Sequence, residues 1–390
     1  MAHILVGKEL REGETRVAAT PETIGHYIKA GHRVSVEAGA GVGSFIDDAE
    51  YIDAGAEIST ETAWSTADLV LNVHGPEDAH GGARRVARLK EGAALVAFMA
   101  PHANPQVVEA LAQQRVSCLA MELVPRTTRA QKMDALSSQA SIAGYKAVLC
   151  AATHLPRYFP MLMTAAGTVK PARIVVMGAG VAGLQAIATA KRLGAVVEAS
   201  DIRPAVKEQV ESLGGRFIDL PKMEESGEGE GGYARSVSAE FLERQQAIVA
   251  EHLAQADAVI TTALVPGKPA PRLVSKAMVE RMKKGAVIVD LAVEQGGNCE
   301  LSSLLEAEVR HAGVLILGCA NLPGTMPVDA SMLYARNVSA LVELVAPKGE
   351  LSWDLEDEII AGTLLTHGGK ILHGPTRDTL AAEEAKERAS

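Results

Sequence analysis

A chain that reads ARIVVMGAGVAGLQAIATAKRLGAVVEASD between Ala172 and Asp201 has few folds open to it. Arg173 to Met177 is a short β-branched run, the pattern of a strand buried on both faces. Gly178-Ala-Gly180-Val-Ala-Gly183 follows at once, then a small-residue helix to Leu193, a second strand over Ala195 to Ala199, and Ser200-Asp201. Strand, glycine turn, helix, strand and acid, in that order, make a dinucleotide-binding unit. Gly178 allows the tight turn, Gly180 lets backbone approach a pyrophosphate at the helix N-terminus, and Gly183 permits close helix–strand packing. Asp201 is placed to accept hydrogen bonds from the adenosine ribose, which favours NAD(H). Arg203, two residues on, is a residue that could neutralise a 2′-phosphate, and so it pulls the other way.

Composition narrows the rest. At 390 residues the chain has room for two domains. Aromatics make up 3% of it, so its cores must be aliphatic. The net charge of −10 argues against nucleic acid, whose phosphates an acidic surface repels. Cys118, Cys150, Cys299 and Cys319 form no CxxC, and no His/Cys spacing points to a metal; free thiols in a reducing cytoplasm are expected. The N-terminus lacks the basic and apolar runs of a signal peptide, and no run of about 18 apolar residues occurs, so no membrane span is expected.

Strands are expected over His3 to Val6, Arg33 to Glu37, Ala67 to Asn72, Ala93 to Phe98 and Ser117 to Ala120, with helices between them. Thr20-Pro21 reads as a helix N-cap followed by proline at the first helical position. After Asp201 the alternation continues, with strands over Arg216 to Ile218, Ala258 to Thr262, Ala286 to Leu291 and Val314 to Gly318. The acidic, glycine-rich residues 220–238 read as a flexible loop carrying one large aromatic, Tyr233. The expected class is α/β: two Rossmann-like, doubly wound parallel-sheet domains with a deep interdomain cleft. Residues 1–132 and 323–390 would form a discontinuous first domain, and residues 133–322 the dinucleotide domain. Glu122 to Tyr145 breaks the rhythm, as a polar loop that turns helical near Met133 at the junction.

That loop carries the most specific signal. Arg126-Thr-Thr-Arg129-Ala-Gln131-Lys-Met-Asp134-Ala-Leu-Ser137-Ser138-Gln139 resembles the signature loop of the NAD(H)-binding domain I of proton-translocating nicotinamide nucleotide transhydrogenases. So do Met163 to Thr168, the Gly-Tyr-Ala around Tyr233, Thr261 to Pro271, which includes Leu264, and Asp290 to Asn298. The resemblance implies hydride transfer between NADH and NADP⁺, with NADP(H) held only on a partner, the NADP-binding domain III of a β subunit. It further implies membrane domain II subunits that couple the reaction to protons, a homodimer, and a cytoplasmic place on the inner face of the membrane. Carried over residue by residue, it gives Arg126 and Ser137 the nicotinamide carboxamide, Asp134 the organisation of the loop, and Gln131 the reach toward the partner's NADP(H) ribose. Tyr233 would close over NAD(H). Gly178, Gly180, Val181, Ala182, Gly183, Asp201, Arg203 and Leu264 would line the dinucleotide. The plainer account of Arg126, Gln131 and Asp134 is a polar helix entry with a local ion pair.

Alanine dehydrogenase resembles the chain over the same length, above all at Cys319 to Pro327. An amino-acid dehydrogenase needs a cation for the substrate carboxylate and an acid/base for the proton on nitrogen. The positions where that family carries them read Asn72-Val-His74 and Ala97-Phe98-Met99-Ala100 here. Glu294 also stands in place of that family's Asp. A third reading is an NAD(H)-binding module or sensor with no catalysis of its own.

Overall fold

A computed structural model describes residues 1–76, 83–220, 239–265 and 267–389. It divides the chain into two compact units, Met1–Gln139 with Gly324–Ser390, and Ala140–Pro323. Unit 1 begins with β1 (His3–Val6), β2 (Arg33–Glu37), β3 (Glu57–Ser59), β4 (Leu69–His74), β5 (Ala94–Phe98) and β6 (Ser117–Ala120). Unit 2 carries the hairpin β7 (Leu162–Thr164) and β8 (Gly167–Val169). Its main sheet comprises β9 (Arg173–Met177), β10 (Val196–Ser200), β11 (Arg216–Phe217), β12 (Ala258–Thr261), β13 (Val287–Asp290), β14 (Glu308–His311) and β15 (Val314–Gly318). The returning segment adds β16 (Leu364–His367) and β17 (Lys370–Ile371) to unit 1.

The sheet of unit 1 runs β17-β16-β6-β5-β4-β1-β2-β3. Its first six strands are parallel in the doubly wound order, and β16 joins antiparallel to β6. Gly368 and Gly369 turn β16 into β17 with φ of 57° and 81°, values that favour glycine. The sheet of unit 2 runs β11-β10-β9-β12-β13-β15-β14, parallel except for β14. Both sheets are therefore Rossmann-like, as the sequence predicts. Parallel strands are covered on both faces, which explains near-continuous apolar runs such as Leu69 to Val73, all buried.

Two edge strands escape the sequence reading. β3 and β14 (Glu-Val-Arg-His) are short, and most of their side chains reach solvent. Edge strands lack the apolar run that marks a central strand. The sheet of unit 2 accordingly has seven strands where six are expected. Thr20 precedes the helix Pro21–Lys29 in an extended conformation, and its N–H donates to Thr23 Oγ1 (3.0 Å). Between Gln114 and the next strand, Arg115 takes a positive φ of 58°.

The cores are aliphatic. In unit 1, Ile4, Val6, Leu69, Leu71, Val96 and Leu119 meet the helix Pro327–Val345 through Tyr334, Val338 and Leu341. In unit 2, Ile174, Val176, Val197, Ile260 and Val289 pack against the helix Ala135–His154 through Ala147, Val148 and Ala151.

Candidate functional site

In a doubly wound sheet the strand order reverses once, and the loops leaving the two strands at that point diverge and leave a crevice. In unit 2 the reversal falls between β9 and β12, which are hydrogen-bonded neighbours. Gly178 to Gly183 leave β9 there, and Thr262 to Val265 leave β12. Thr262 ties the two loops: its N–H donates to the Met177 carbonyl (2.9 Å) and its hydroxyl to the Gly178 carbonyl (3.1 Å).

The three glycines differ in what they do. Gly178 has φ +98°, and its N–H donates to the Ser200 carbonyl (2.8 Å). A Cβ on Gly183 would lie 1.8 Å from the Gly178 carbonyl oxygen, so no side chain fits there. A Cβ on Gly180 would meet nothing within 4 Å. Packing does not explain that glycine. It leaves open space over the N-terminus of the helix Val181–Arg192, where Gly180 is the N-cap and offers no side-chain bond. Free N–H groups at a helix start, with room in front of them, suit a pyrophosphate. Val181 and Leu264 are exposed apolar side chains on these two loops, and Ala182 is half-buried.

Asp201 follows β10. Its Oδ2 accepts the Ala179 N–H (2.7 Å) from inside the glycine turn. Its remaining capacity goes to Arg203: Oδ1 accepts the backbone N–H (2.8 Å) and Nε (3.0 Å), and Oδ2 accepts a guanidinium N–H (3.0 Å). The sequence sets these two residues against each other, and the fold pairs them. A ribose hydroxyl reaching Asp201 would therefore take a place that the Arg203 guanidinium holds.

Two buried polar residues pin the loops behind the turn. Asp290 accepts the Thr261 hydroxyl (3.0 Å), the Ala292 and Cys299 N–H groups (2.9 Å each) and the Ser302 hydroxyl (2.6 Å). Asn298 accepts the Ala263 N–H (3.0 Å) and donates to the Ala263 and Pro271 carbonyls (2.8 Å each). One contributor is missed by the sequence reading. Gly144, on the helix Ala135–His154, faces the fingerprint so closely that a Cβ would lie 2.0 Å from the Ala182 carbonyl oxygen. A glycine inside an otherwise good helix is the only local signal of it.

The signature loop belongs to unit 1. Asp134 caps the helix Ala135–His154: its Oδ1 accepts the Ser137 N–H (2.9 Å) and its Oδ2 the Ser137 hydroxyl (2.6 Å). The returning helix Pro327–Val345 holds the loop in place. Asn337 donates to the Lys132 carbonyl (2.8 Å) and accepts the Ser138 hydroxyl (2.7 Å), while Gln139 donates to the Ala330 carbonyl (3.1 Å). Arg129 pairs with Asp357. Arg126 and Gln131 are exposed, whereas Asp134 and Ser137 are half-buried. Tyr233 lies outside the described residues.

Behind this loop, the reversal point of unit 1, between β1 and β4, is packed with charge. Glu14 is fully covered and pairs with Arg16 (2.7 Å) and with His74 (2.8 Å). Arg16 also donates to the Gln139 side chain (2.9 Å). Burial alone would raise the Glu14 carboxyl, but hydrogen bonds from Arg16 and His74 outweigh it and hold the group well below the usual range. Glu9 accepts the Asn72 side chain (2.9 Å) and the Val73 N–H (2.7 Å), and burial pushes its carboxyl up. Asn72 and Met99 are both buried.

The N-terminal domain model of alanine dehydrogenase/PNT matches residues 5–143, and the C-terminal domain model matches residues 147–374. The chain belongs to the alanine dehydrogenase/PNT family. Within it, the chain is 49% identical over 378 residues to the first part of NAD(P) transhydrogenase subunit alpha in Rhodospirillum rubrum, covering 95% of this chain and 97% of that one. A solved transhydrogenase from Sinorhizobium meliloti superposes with a TM-score of 0.84 at 47% identity, covering 95% of this chain and 99% of that one. A solved L-alanine dehydrogenase superposes with a TM-score of 0.79 at 27% identity, covering 97% and 99%. Both branches of the alanine dehydrogenase/PNT family thus share the fold, and identity is higher on the transhydrogenase side. Among the described residues no helix is long and apolar enough to cross a membrane, and no His, Cys, Asp and Glu group could hold a metal ion.

Proposed function

We propose that this chain is the NAD(H)-binding subunit of a proton-translocating transhydrogenase, working in direct hydride transfer between NADH and NADP⁺ held on a partner domain III. The observation that carries the reading is the 49% identity, end to end, with the first part of a transhydrogenase alpha subunit. The open space at Gly180 and the uncapped helix start support a dinucleotide in unit 2. The nicotinamide supplies the hydride chemistry, and the protein supplies binding and orientation. Gly180 leaves room for the pyrophosphate at the helix start, Gly178 and Gly183 shape the turn that presents it, and Asp201 takes the adenosine ribose as Arg203 turns away. Arg126 and Ser137 hold the carboxamide, Asp134 keeps Ser137 in place, and Gln131 reaches toward the NADP(H) nicotinamide ribose. Tyr233 closes over the bound cofactor. No general acid or base is assigned, because transfer between two nicotinamides moves no proton. The subunit docks as a homodimer on membrane domain II subunits at the inner face of the cytoplasmic membrane.

Buried Asn72 and Met99 speak against an alanine dehydrogenase, since neither supplies a cation or a proton. The test mixes the purified chain with a transhydrogenase domain III carrying NADP(H), and follows reduction of an NAD⁺ analogue by NADPH. Alanine plus NAD⁺ is assayed with the chain alone. Turnover only in the mixture is the expected result. Alanine turnover by the chain alone would overturn it. NADH binding with silence in both assays would favour a non-catalytic module.

A further inference from the structure

Asn337 is out of place on grounds of stability. It lies mid-way along the helix Pro327–Val345 and is half-buried, where alanine is the better helix former. What its amide gains there is a pair of hydrogen bonds to the signature loop, and these are the last two steps of a longer run. Arg16 Nη1 donates to Gln139 Oε1 (2.9 Å), Gln139 Nε2 to Ser138 Oγ (3.3 Å), Ser138 Oγ to Asn337 Oδ1 (2.7 Å), and Asn337 Nδ2 to the Lys132 carbonyl (2.8 Å). Each intermediate group accepts from the one before it and donates to the one after. The run therefore has a single direction, from a guanidinium to a backbone carbonyl, and bonds linked in this way polarise one another. Reversing the Asn337 amide would set its oxygen against the Lys132 carbonyl, so its orientation is fixed.

The start of the run is rigid. Arg16 and Gln139 are buried, and Glu14 holds Arg16 through two bonds, Nε to Oε1 (2.8 Å) and Nη2 to Oε2 (2.7 Å). Gln139 also donates to the Ala330 carbonyl (3.1 Å), two turns before Asn337 along the returning helix. The end of the run falls at the most exposed part of the loop. Lys132 adjoins Gln131 and stands two residues before Asp134, and the side chains of Gln131 and Lys132 are exposed. Ala130 and Met133 are buried and set the depth of the loop. Apolar packing has no direction, however, so it does not decide where Gln131 points. A hydrogen bond on the neighbouring carbonyl does.

We propose that Asn337 is a positioning residue for hydride transfer. It fixes the backbone beside Gln131 and, through Ser138, the helix start that carries Ser137. The inference rests on the proposed function, which gives Gln131, Asp134 and Ser137 their tasks, and Asn337 acts through them. Transfer between two rings depends steeply on alignment, and a misplacement of about 1 Å costs up to about a hundredfold. Dinucleotide affinity is proposed to reside at the glycine turn of unit 2, which Asn337 does not touch. Losing Asn337 should therefore lower the rate constant and spare the affinity.

The test follows single-turnover reduction of an NAD⁺ analogue, at saturation, by NADPH on domain III mixed with the full chain. NADH affinity by fluorescence titration and a thermal melt accompany it. Asn337→Ala should slow the rate constant by roughly tenfold to a hundredfold at full amplitude, with NADH affinity within about twofold of native. Its melting temperature should be level or higher, since alanine favours the helix. Ser138→Ala should slow transfer as well. It breaks the same run without altering the helix Pro327–Val345, and so carries the test should Asn337→Ala fail to fold. The double variant should be no slower than Asn337→Ala, because both changes break one run. An unchanged rate in Asn337→Ala, a loss of affinity equal to the loss of rate, or single effects that multiply in the double variant would each overturn the inference. A native mixture without turnover would overturn the proposed function and this inference with it. A native mixture that turns over, with variants equally fast, would overturn this inference alone.

Discussion

Asp201 serves the fold, and the proposed function gives the same side chain a ligand as well. Its Oδ2 holds the Ala179 amide inside the glycine turn while Arg203 occupies its other lone pairs. Asp201→Ala should weaken NADH binding by roughly 1–3 kcal/mol, the range for leaving such donors unpaired; a fluorescence titration showing unchanged affinity would remove Asp201 from the ribose. Arg126 makes the opposite case, an exposed residue whose proposed task is orientation. Arg126→Ala should slow hydride transfer in the mixture with domain III far more than it weakens NADH binding, and equal losses would refute that role. Glu14 bears on stability. Its folded carboxyl lies below the unfolded value of 4.5, so the stability it contributes is present above that value and lost as pH falls through the folded one. Urea unfolding between pH 6 and pH 3 should show the native chain weakening on acidification below about 4.5, and Glu14→Gln should flatten that slope. Parallel slopes would deny Glu14 any share in it.

At the scale of elements, the lesson lies in two glycines that look alike in sequence. Gly25 sits in the helix Pro21–Lys29, and a Cβ added there would meet nothing within 4 Å, whereas the same atom on Gly144 would strike the Ala182 carbonyl at 2.0 Å. Gly25→Ala should stabilise the chain by about 0.5–1 kcal/mol, the helix propensity gain. Gly144→Ala should destabilise it by about 1–3 kcal/mol and impair NADH binding, because the helix must move off the fingerprint. Thermal melts of the two variants should shift in opposite directions, and a shared sign would break the argument. Legibility follows the same line. The run from β9 through the glycine turn to β10 was readable because each residue reports its own local environment: β-branched in a strand covered on both faces, glycine at a tight turn. β3 and β14 were not, because an edge strand with solvated charges has no apolar signature. The partner of Gly144 was hidden for a different reason. It is set by a contact between distant segments, and periodicity carries no record of such contacts.

For the whole molecule, the consequence of two reversal points is a division of labour that the chemistry of each makes plain. The one in unit 1 is filled by its own side chains, with Glu14 neutralised by Arg16 and His74 and Glu9 spent on Asn72 and Val73. The one in unit 2 keeps an uncapped helix start and open space at Gly180. A dinucleotide should therefore raise the stability of unit 2 by mass action, about 2.7 kcal/mol at a free NADH concentration of 100 Kd. For a unit of this size that corresponds to a rise of roughly 5–11 °C in its transition. Differential scanning calorimetry with and without NADH measures the shift, and hydrogen exchange locates it. Protection should be greatest at the amides of Ala179 to Gly183, which face the proposed pyrophosphate, and least at Glu9 to Arg16. Protection centred on Glu9 to Arg16 instead would mean that the ligand enters the charged cluster, and the assignment of the dinucleotide to the glycine turn would fall.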